Sequence, residues 1–237
     1  MGANHHNKMK ALRAAFPYTL PILTGYLLLG SAYGILMSAK GFTLGWTVLM
    51  SILVYAGAMQ FVAVTLLTAA FNPWAALFIA LMVNVRHLFY GISLLEKYKD
   101  AGKLRPFLIF GMTDEAFSII CSTDPPPDVD RNYFMFFITL LAYLYWISGS
   151  ALGSLVGSAI SFNVKGLDFV LTALFVVIFI GQWRGQKNHL PAIIGVAATI
   201  FCLVLFGQAY FIIPSMLVIL AALTIFRKSL EDKRDAS

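Results

Sequence analysis

Apolar residues run along this chain in blocks too long and too continuous for the one-sided stripe of a soluble helix. Eight blocks can be drawn: Phe16–Met37, Leu44–Ala70, Pro73–Leu95, Phe107–Cys121, Tyr133–Ile160, Asp168–Trp183, Leu190–Phe206 and Tyr210–Phe226. A helix crossing the hydrocarbon core needs about 20 mostly apolar residues. Phe107–Cys121, Asp168–Trp183 and Leu190–Phe206 sit at or below that length. No alternating stretches of about ten residues occur, so a membrane β-barrel does not fit. The pattern predicts an all-α polytopic transmembrane bundle of seven to eight segments, one of them short or re-entrant, as broken helices are in carriers.

The polar positions set the boundaries. Residues 1–15 read as a cytoplasmic tail, 16–226 as one transmembrane domain and 227–237 as a polar C-terminal tail. Pro73 and Pro191 stand where a helix N-terminus accepts proline. Pro125-Pro126-Pro127, with Asp124, Asp128 and Asp130 around it, predicts an exposed loop after the fourth block. Gly30-Ser31-Ala32-Tyr33-Gly34 resembles Gly149-Ser150-Ala151-Leu152-Gly153, 119 residues on. Two pseudo-symmetric halves, 16–121 and 133–226, or a chance match of small residues both account for it. Gly149, Gly153 and Gly157 fall at i, i+4, i+8, a stripe that permits close helix packing; Gly25, Gly30 and Gly34 form a looser equivalent.

Composition agrees with the blocks. The chain has 237 residues, 59% hydrophobic and 12% charged, with net charge +6, against about 25% charged in a soluble domain. The basic residues cluster at block ends, as juxtamembrane anchors do, and no nucleic-acid motif accompanies them. If all eight blocks cross and the N-terminus is cytoplasmic, the basic Lys97–Arg105 loop falls outside, against the usual bias. One re-entrant segment, or seven crossings, would return it to the cytoplasmic side. Cys121 and Cys202 have no metal or redox spacing. No Walker, His-Glu-x-x-His or Gly-x-Ser-x-Gly motif occurs, so neither an enzyme active site nor a cofactor or metal site is predicted.

Against this background, intramembrane polar residues stand out. Arg86 lies in the third block within Asn84-Val85-Arg86-His87. An arginine at the bilayer centre costs roughly 2.5–3.5 kcal/mol on insertion scales, so it should face a partner or a cavity, or snorkel. Asn84 and His87 share one helix face, Arg86 and Tyr90 another. Asp114 and Glu115 sit midway through the fourth block. Adjacent residues on a helix project differently, so one carboxylate can pair with Arg86 while the other faces a cavity. Gln60, in the second block, can donate and accept without charge. These seven are the substrate-binding or coupling candidates, with a purely structural Arg86–acid pair as the alternative.

Four stretches in order, Tyr55–Phe61 (YAGAMQF), Asn84–Gly91 (NVRHLFYG), Thr113–Phe117 (TDEAF) and Asp168–Phe175 (DFVLTALF), resemble the AzlC family across roughly residues 16–225. The resemblance implies the large subunit of a two-component exporter in the bacterial inner membrane, working with a small AzlD-like partner. It implies outward movement of branched-chain or similar apolar amino acids, driven by ion gradients rather than ATP. A passive channel for a small solute, or a membrane-embedded enzyme using His87 and Glu115, would be the competing readings.

Overall fold

The computed structural model describes residues 2–68, 72–159 and 189–225, with scattered positions between 169 and 183. The sixth block, including Asp168, and the 227–237 tail lie outside the fully described residues. Two compact units are present, Met1–Leu171 and Thr172–Ser237. Among the described residues every regular element is helical. Among the described residues three helices are long and apolar enough to cross a membrane, Asn7–Ala39, Arg131–Ala159 and Leu190–Gln208, or four if the bent pair Ala76–Asn84 and Arg86–Leu94 is one span.

In the first unit, α1 (Gly2–Ala39) carries Pro17 and Pro21 inside it. It ends in a Schellman turn, where Phe42 N–H reaches the Met37 carbonyl at 3.0 Å and Gly41 N–H the Ser38 carbonyl at 2.9 Å. Gly41 supplies the required left-handed conformation, φ 87°. Helix α8 (Arg131–Ala159) lies along α1, opened by Asp130, whose Oδ1 accepts from Asn132 N–H at 2.9 Å and Tyr133 N–H at 3.0 Å. Gly149, Gly153 and Gly157 lie in this seam. A Cβ on Gly30 would lie 2.9 Å from the Ser150 nitrogen, and one on Gly157 would lie 3.0 Å from Ile35 Cα. Gly149 abuts Tyr26 and Leu27, and Gly153 abuts Ser31. Contact positions rise together along both helices, so α1 and α8 run parallel, and the two similar pentapeptides face each other.

The blocks between α1 and α8 are broken. The second is not one rod. It divides into α2 (Leu44–Leu53) and α3 (Gly57–Thr68), and α3 turns back beside α2. Gln60 Nε2 donates to Ser51 Oγ at 3.2 Å, a contact nine residues apart that a straight helix cannot make at 1.5 Å rise per residue. Thr47 Oγ1 meets Ser154 Oγ at 3.4 Å, Tyr55 at the tip packs on Tyr143 with ring centroids 4.7 Å apart, and Phe61 is back beside Tyr33. Tyr55 holds φ 41°, among the described residues the lone non-glycine with positive φ, and such a conformation costs of order 1–3 kcal/mol.

The third block bends by 44° between α4 (Pro73–Asn84) and α5 (Arg86–Leu94) but continues onward. The proline-start expectation holds: Pro73 opens α4, and Asn72 Oδ1 caps it by accepting from Trp74 N–H at 3.1 Å. The short fourth block is a second hairpin. α6 (Arg105–Phe110) runs in and α7 (Asp114–Ser122) runs back, separated by Gly111–Thr113. Lys97 Nζ, in the turn after α5, donates to the carbonyls of Ile120 at 2.6 Å and Cys121 at 3.2 Å, capping α7.

That same end holds the start of α1 and of α8. Lys10 pairs with Asp128 at 3.3 Å, Lys8 sits 5.2 Å over the Tyr133 ring, and Asn132 Nδ2 donates to the Asp100 carbonyl at 3.0 Å. A core of Ala15, Leu94, Tyr98, Leu108, Ile120 and Phe134 closes it. The Lys97–Arg105 loop therefore lies at the N-terminal end of α1. The two hairpins enter from opposite ends, α2/α3 from the far end and α6/α7 from the near one. Residues 16–61 and 72–117 thus repeat one motif, helix then hairpin, running in opposite directions. A faint sequence echo accompanies it at an offset of 56–57: Pro17 and Pro73, Tyr33-Gly34-Ile35 and Tyr90-Gly91-Ile92, Phe61 and Phe117.

In the second unit, α9 (Leu190–Tyr210) packs on α10 (Ile212–Ile225). Pro191 lies in the first turn of α9, as expected, and Gly207, at φ 70° and ψ 174°, breaks the helix near its end.

Candidate functional site

The three breaks meet in the middle of the first unit. Thr113 caps α7 by accepting from Ala116 N–H at 3.3 Å, so Asp114 and Glu115 occupy the first turn, where the helix dipole favours negative charge. The two carboxylates part as adjacent helical residues must. Asp114 Oδ2 accepts from Arg86 Nη1 at 2.8 Å, with both side chains little more than a quarter exposed. Tyr90 stands beside that pair, electrostatically coupled to both members, and stacks on Phe117 at 4.4 Å. Glu115 turns to α1, where Tyr26 Oη donates to Glu115 Oε2 at 2.6 Å and contacts Thr113 Oγ1 at 2.9 Å.

Val85 separates α4 from α5 at the kink. His87 Nδ1 donates to the Asn84 carbonyl at 3.1 Å, and Asn84 Nδ2 to the Ala80 carbonyl at 2.9 Å. Asn84 and His87 line a cavity of about 800 Å³ that also touches Tyr55, Ala56 and Met59 at the first hairpin, Phe110 and Met112 at the second, and Leu95, Tyr98 and Arg105 at the N-terminal end. Its size suits a small-molecule pocket, and its lining is mostly apolar with a few polar groups. Of the seven candidates, Asn84 and His87 line the cavity. Arg86, Tyr90, Asp114 and Glu115 form the adjoining charged cluster. Gln60 is elsewhere: it is buried in the α2/α3 fold-back, where its Oε1 accepts from Trp146 Nε1 at 2.7 Å.

Sequence reasoning passed over Tyr26, Tyr55 and Tyr98. A tyrosine in an apolar block carries a polar tip that burial obliges to find a partner, and that was the signal available. No group of three or more His, Cys, Asp or Glu able to hold a metal occurs among the described residues.

Residues 21–160 match the family described as AzlC protein. The chain is 53% identical over 231 residues to the "Branched-chain amino acid transport protein AzlC" of Bacillus subtilis (strain 168), covering 96% of this chain and 91% of that one. It is 42% identical over 234 residues to an "Uncharacterized membrane protein" of Haemophilus influenzae, covering 98% and 96%. It is 28% identical over 184 residues to the "Inner membrane protein YgaZ" of Escherichia coli, covering 72% of each. No solved structure matches it. A matched family spanning well over half of the chain, together with identity along nearly its whole length, makes this multi-pass membrane protein a member of the AzlC family.

Proposed function

We propose that the protein is a secondary transporter exporting branched-chain or similar small apolar amino acids across the bacterial inner membrane. It would be the large subunit of a two-component exporter with a small AzlD-like partner, driven by the proton-motive force. The observation that carries the substrate is the 53% identity, along nearly the full length, to a relative named for branched-chain amino acid transport. The cavity supports it, being apolar with polar groups gathered at the helix breaks, where carriers place their sites.

In this reading α1, α4/α5 and α8 cross the bilayer and the two hairpins are re-entrant from opposite faces. Broken backbone is tolerated at that depth because it lines a cavity and packs on protein. Lys8, Lys10, Arg13, Lys97, Lys99, Lys103, Arg105 and Arg131 then gather at one face, with Lys40 at the other. The positive-inside bias makes the first face cytoplasmic. The cavity reaches Arg105, on the face this reading makes cytoplasmic, the side from which an exporter loads. Glu115, held by Tyr26, is the coupling candidate, and Arg86–Asp114 is the charged wall of the site.

Leucine counterflow in proteoliposomes carrying this chain and its small partner tests the reading. Accumulation of labelled leucine against its gradient supports a carrier. Flux that only equilibrates would replace it with a channel.

A further inference from the structure

Tyr55 belongs both to the cavity wall and to the surroundings of Glu115. It sits between α2 and α3 at φ 41°, a conformation that glycine would hold without steric cost. Held there, its ring lines the cavity, edge-on to Tyr143 at 4.7 Å and 6.2 Å from Phe110 at the other hairpin. Its hydroxyl is buried beside that of Tyr26 and coupled electrostatically to Glu115, yet it makes no hydrogen bond. Tyr26 has one proton to give, and it is directed at Glu115 Oε2 at 2.6 Å. That bond suits an ionised carboxylate, which only accepts. A carboxyl that takes up a proton becomes a donor, and away from water it needs an acceptor. The unpartnered Tyr55 oxygen supplies one. The other ionisable groups around it are committed: Asp114 to Arg86 at 2.8 Å, with Tyr90 beside that pair, and Tyr143 Oη to the Ile52 carbonyl at 2.9 Å.

We propose that Tyr55 Oη accepts the proton that Glu115 takes up, so that the protonated carboxyl ties the tip of the first hairpin to α7 and the ionised one releases it. Tyr26 and Tyr55 then divide the two states between them, a donor for the carboxylate and an acceptor for the acid. Both are positioning residues; the proton itself stays on Glu115. Because the Tyr55 ring is part of the cavity wall, what fills the cavity and what sits on Glu115 act on one another, and by linkage equally in both directions. The inference deepens the transport reading and rests on it for the ligand that fills the cavity. Export against an inward proton gradient requires proton and substrate to exclude each other, as a tip locked by one and displaced by the other would ensure.

The test is a pH titration of the purified full-length protein by difference infrared spectroscopy, following the C=O stretch of protonated carboxyl groups. The Glu115 band is the one missing from Glu115→Gln. Tyr55→Phe keeps the ring and removes the acceptor for the acid, so the midpoint of that band is expected to move about half to one pH unit to the acid side. Tyr26→Phe removes the donor to the carboxylate, and its midpoint is expected to move about one to two units to the alkaline side. Loss of packing alone would not drive two tyrosine-to-phenylalanine changes in opposite directions. Saturating leucine should move the wild-type midpoint to the acid side, and move that of Tyr55→Phe less. An unmoved midpoint in Tyr55→Phe overturns the proposal. So does an acid shift in Tyr26→Phe, which would make Tyr26 the acceptor, or a leucine shift undiminished in Tyr55→Phe. Opposite shifts in the two variants with no response to leucine uphold the proton site and count against the transport reading instead.

Discussion

Replacing Gly30 by alanine puts a methyl group 2.9 Å from the Ser150 nitrogen and 3.1 Å from Gly149 Cα. Non-bonded heavy atoms settle at about 3.5–4.0 Å, so α1 and α8 must part by at least about 0.5 Å there. Parallel contacts at Gly34, Gly149 and Gly153 loosen with it, and overpacking of this kind costs about 1–3 kcal/mol. Gly25, on the same helix, has nothing within 4 Å of its virtual Cβ. There alanine only improves helix propensity, by about 0.5–1 kcal/mol. The propensity gain is common to both substitutions and cancels in their difference, which isolates the steric cost. At about 2–4 °C per kcal/mol for a chain of this size, Gly30→Ala should melt several degrees below Gly25→Ala, with Gly25→Ala at or above wild type. Thermal melts of the purified protein in one detergent measure this. Equal melting temperatures, or the reverse order, would refute the parallel α1/α8 seam.

Three further outcomes are expected. Asp114→Asn and Arg86→Gln should each lower the yield of folded protein, because removing one member of a largely buried ion pair strands the other at about 3–5 kcal/mol when fully buried and less at this partial exposure. The double variant should recover yield, as fluorescence-detected chromatography can read. Glu115→Gln keeps an oxygen that accepts from Tyr26, so it should fold as wild type. Its leucine counterflow should persist while accumulation driven by a pH gradient is lost; retained accumulation removes Glu115 from coupling. Single cysteines at Lys8 and Lys99 should be labelled by an impermeant maleimide from one face of sealed vesicles and one at Lys40 from the other. Labelling of Lys99→Cys with Lys40→Cys would undo the paired hairpins.

Helix content and the sparse charged cluster were legible because hydrocarbon leaves few choices for either. Arg86, Asp114 and Glu115 stand out in blocks otherwise stripped of charge, and helical geometry alone predicts that the two acids diverge. The small fourth block already pointed to a re-entrant element. The second showed less: Leu44–Ala70 is long enough to cross, with Gln60 and a few hydroxyl residues inside it and Gly57 as a position that allows either close packing or a helix break. Its fold-back depends on contacts distant in sequence, Trp146 on Gln60, Tyr143 Oη on the Ile52 carbonyl at 2.9 Å, and Ser154 on Thr47. Local pattern carries no trace of these. The echo between residues 16–61 and 72–117 was hidden for a related reason. When one copy runs opposite to the other, equivalent positions face different neighbours, and few side chains stay alike. Tyr98 was overlooked because it lies in a turn, where polarity looks unremarkable until burial is known.

The dependence of both hairpins on α8 bears on how the chain is made. Residues 44–122 leave the ribosome before Arg131–Ala159 exists to receive them. Until then Ile52, Gln60 and Phe110 lack their partners Tyr143 and Trp146, and the interrupted backbones at Val54–Ala56 and Gly111–Thr113 face either lipid or an incomplete bundle. Unsatisfied amides in hydrocarbon cost several kcal/mol apiece. A nascent chain stopped before Arg131 should therefore remain a substrate for insertion factors and quality-control proteases, and maturation should occur in one late step, when α8 slides along α1 and both hairpins close upon it. The glycines at that seam, by letting α8 lie close against α1, bring Tyr143 and Trp146 to the hairpins made before them.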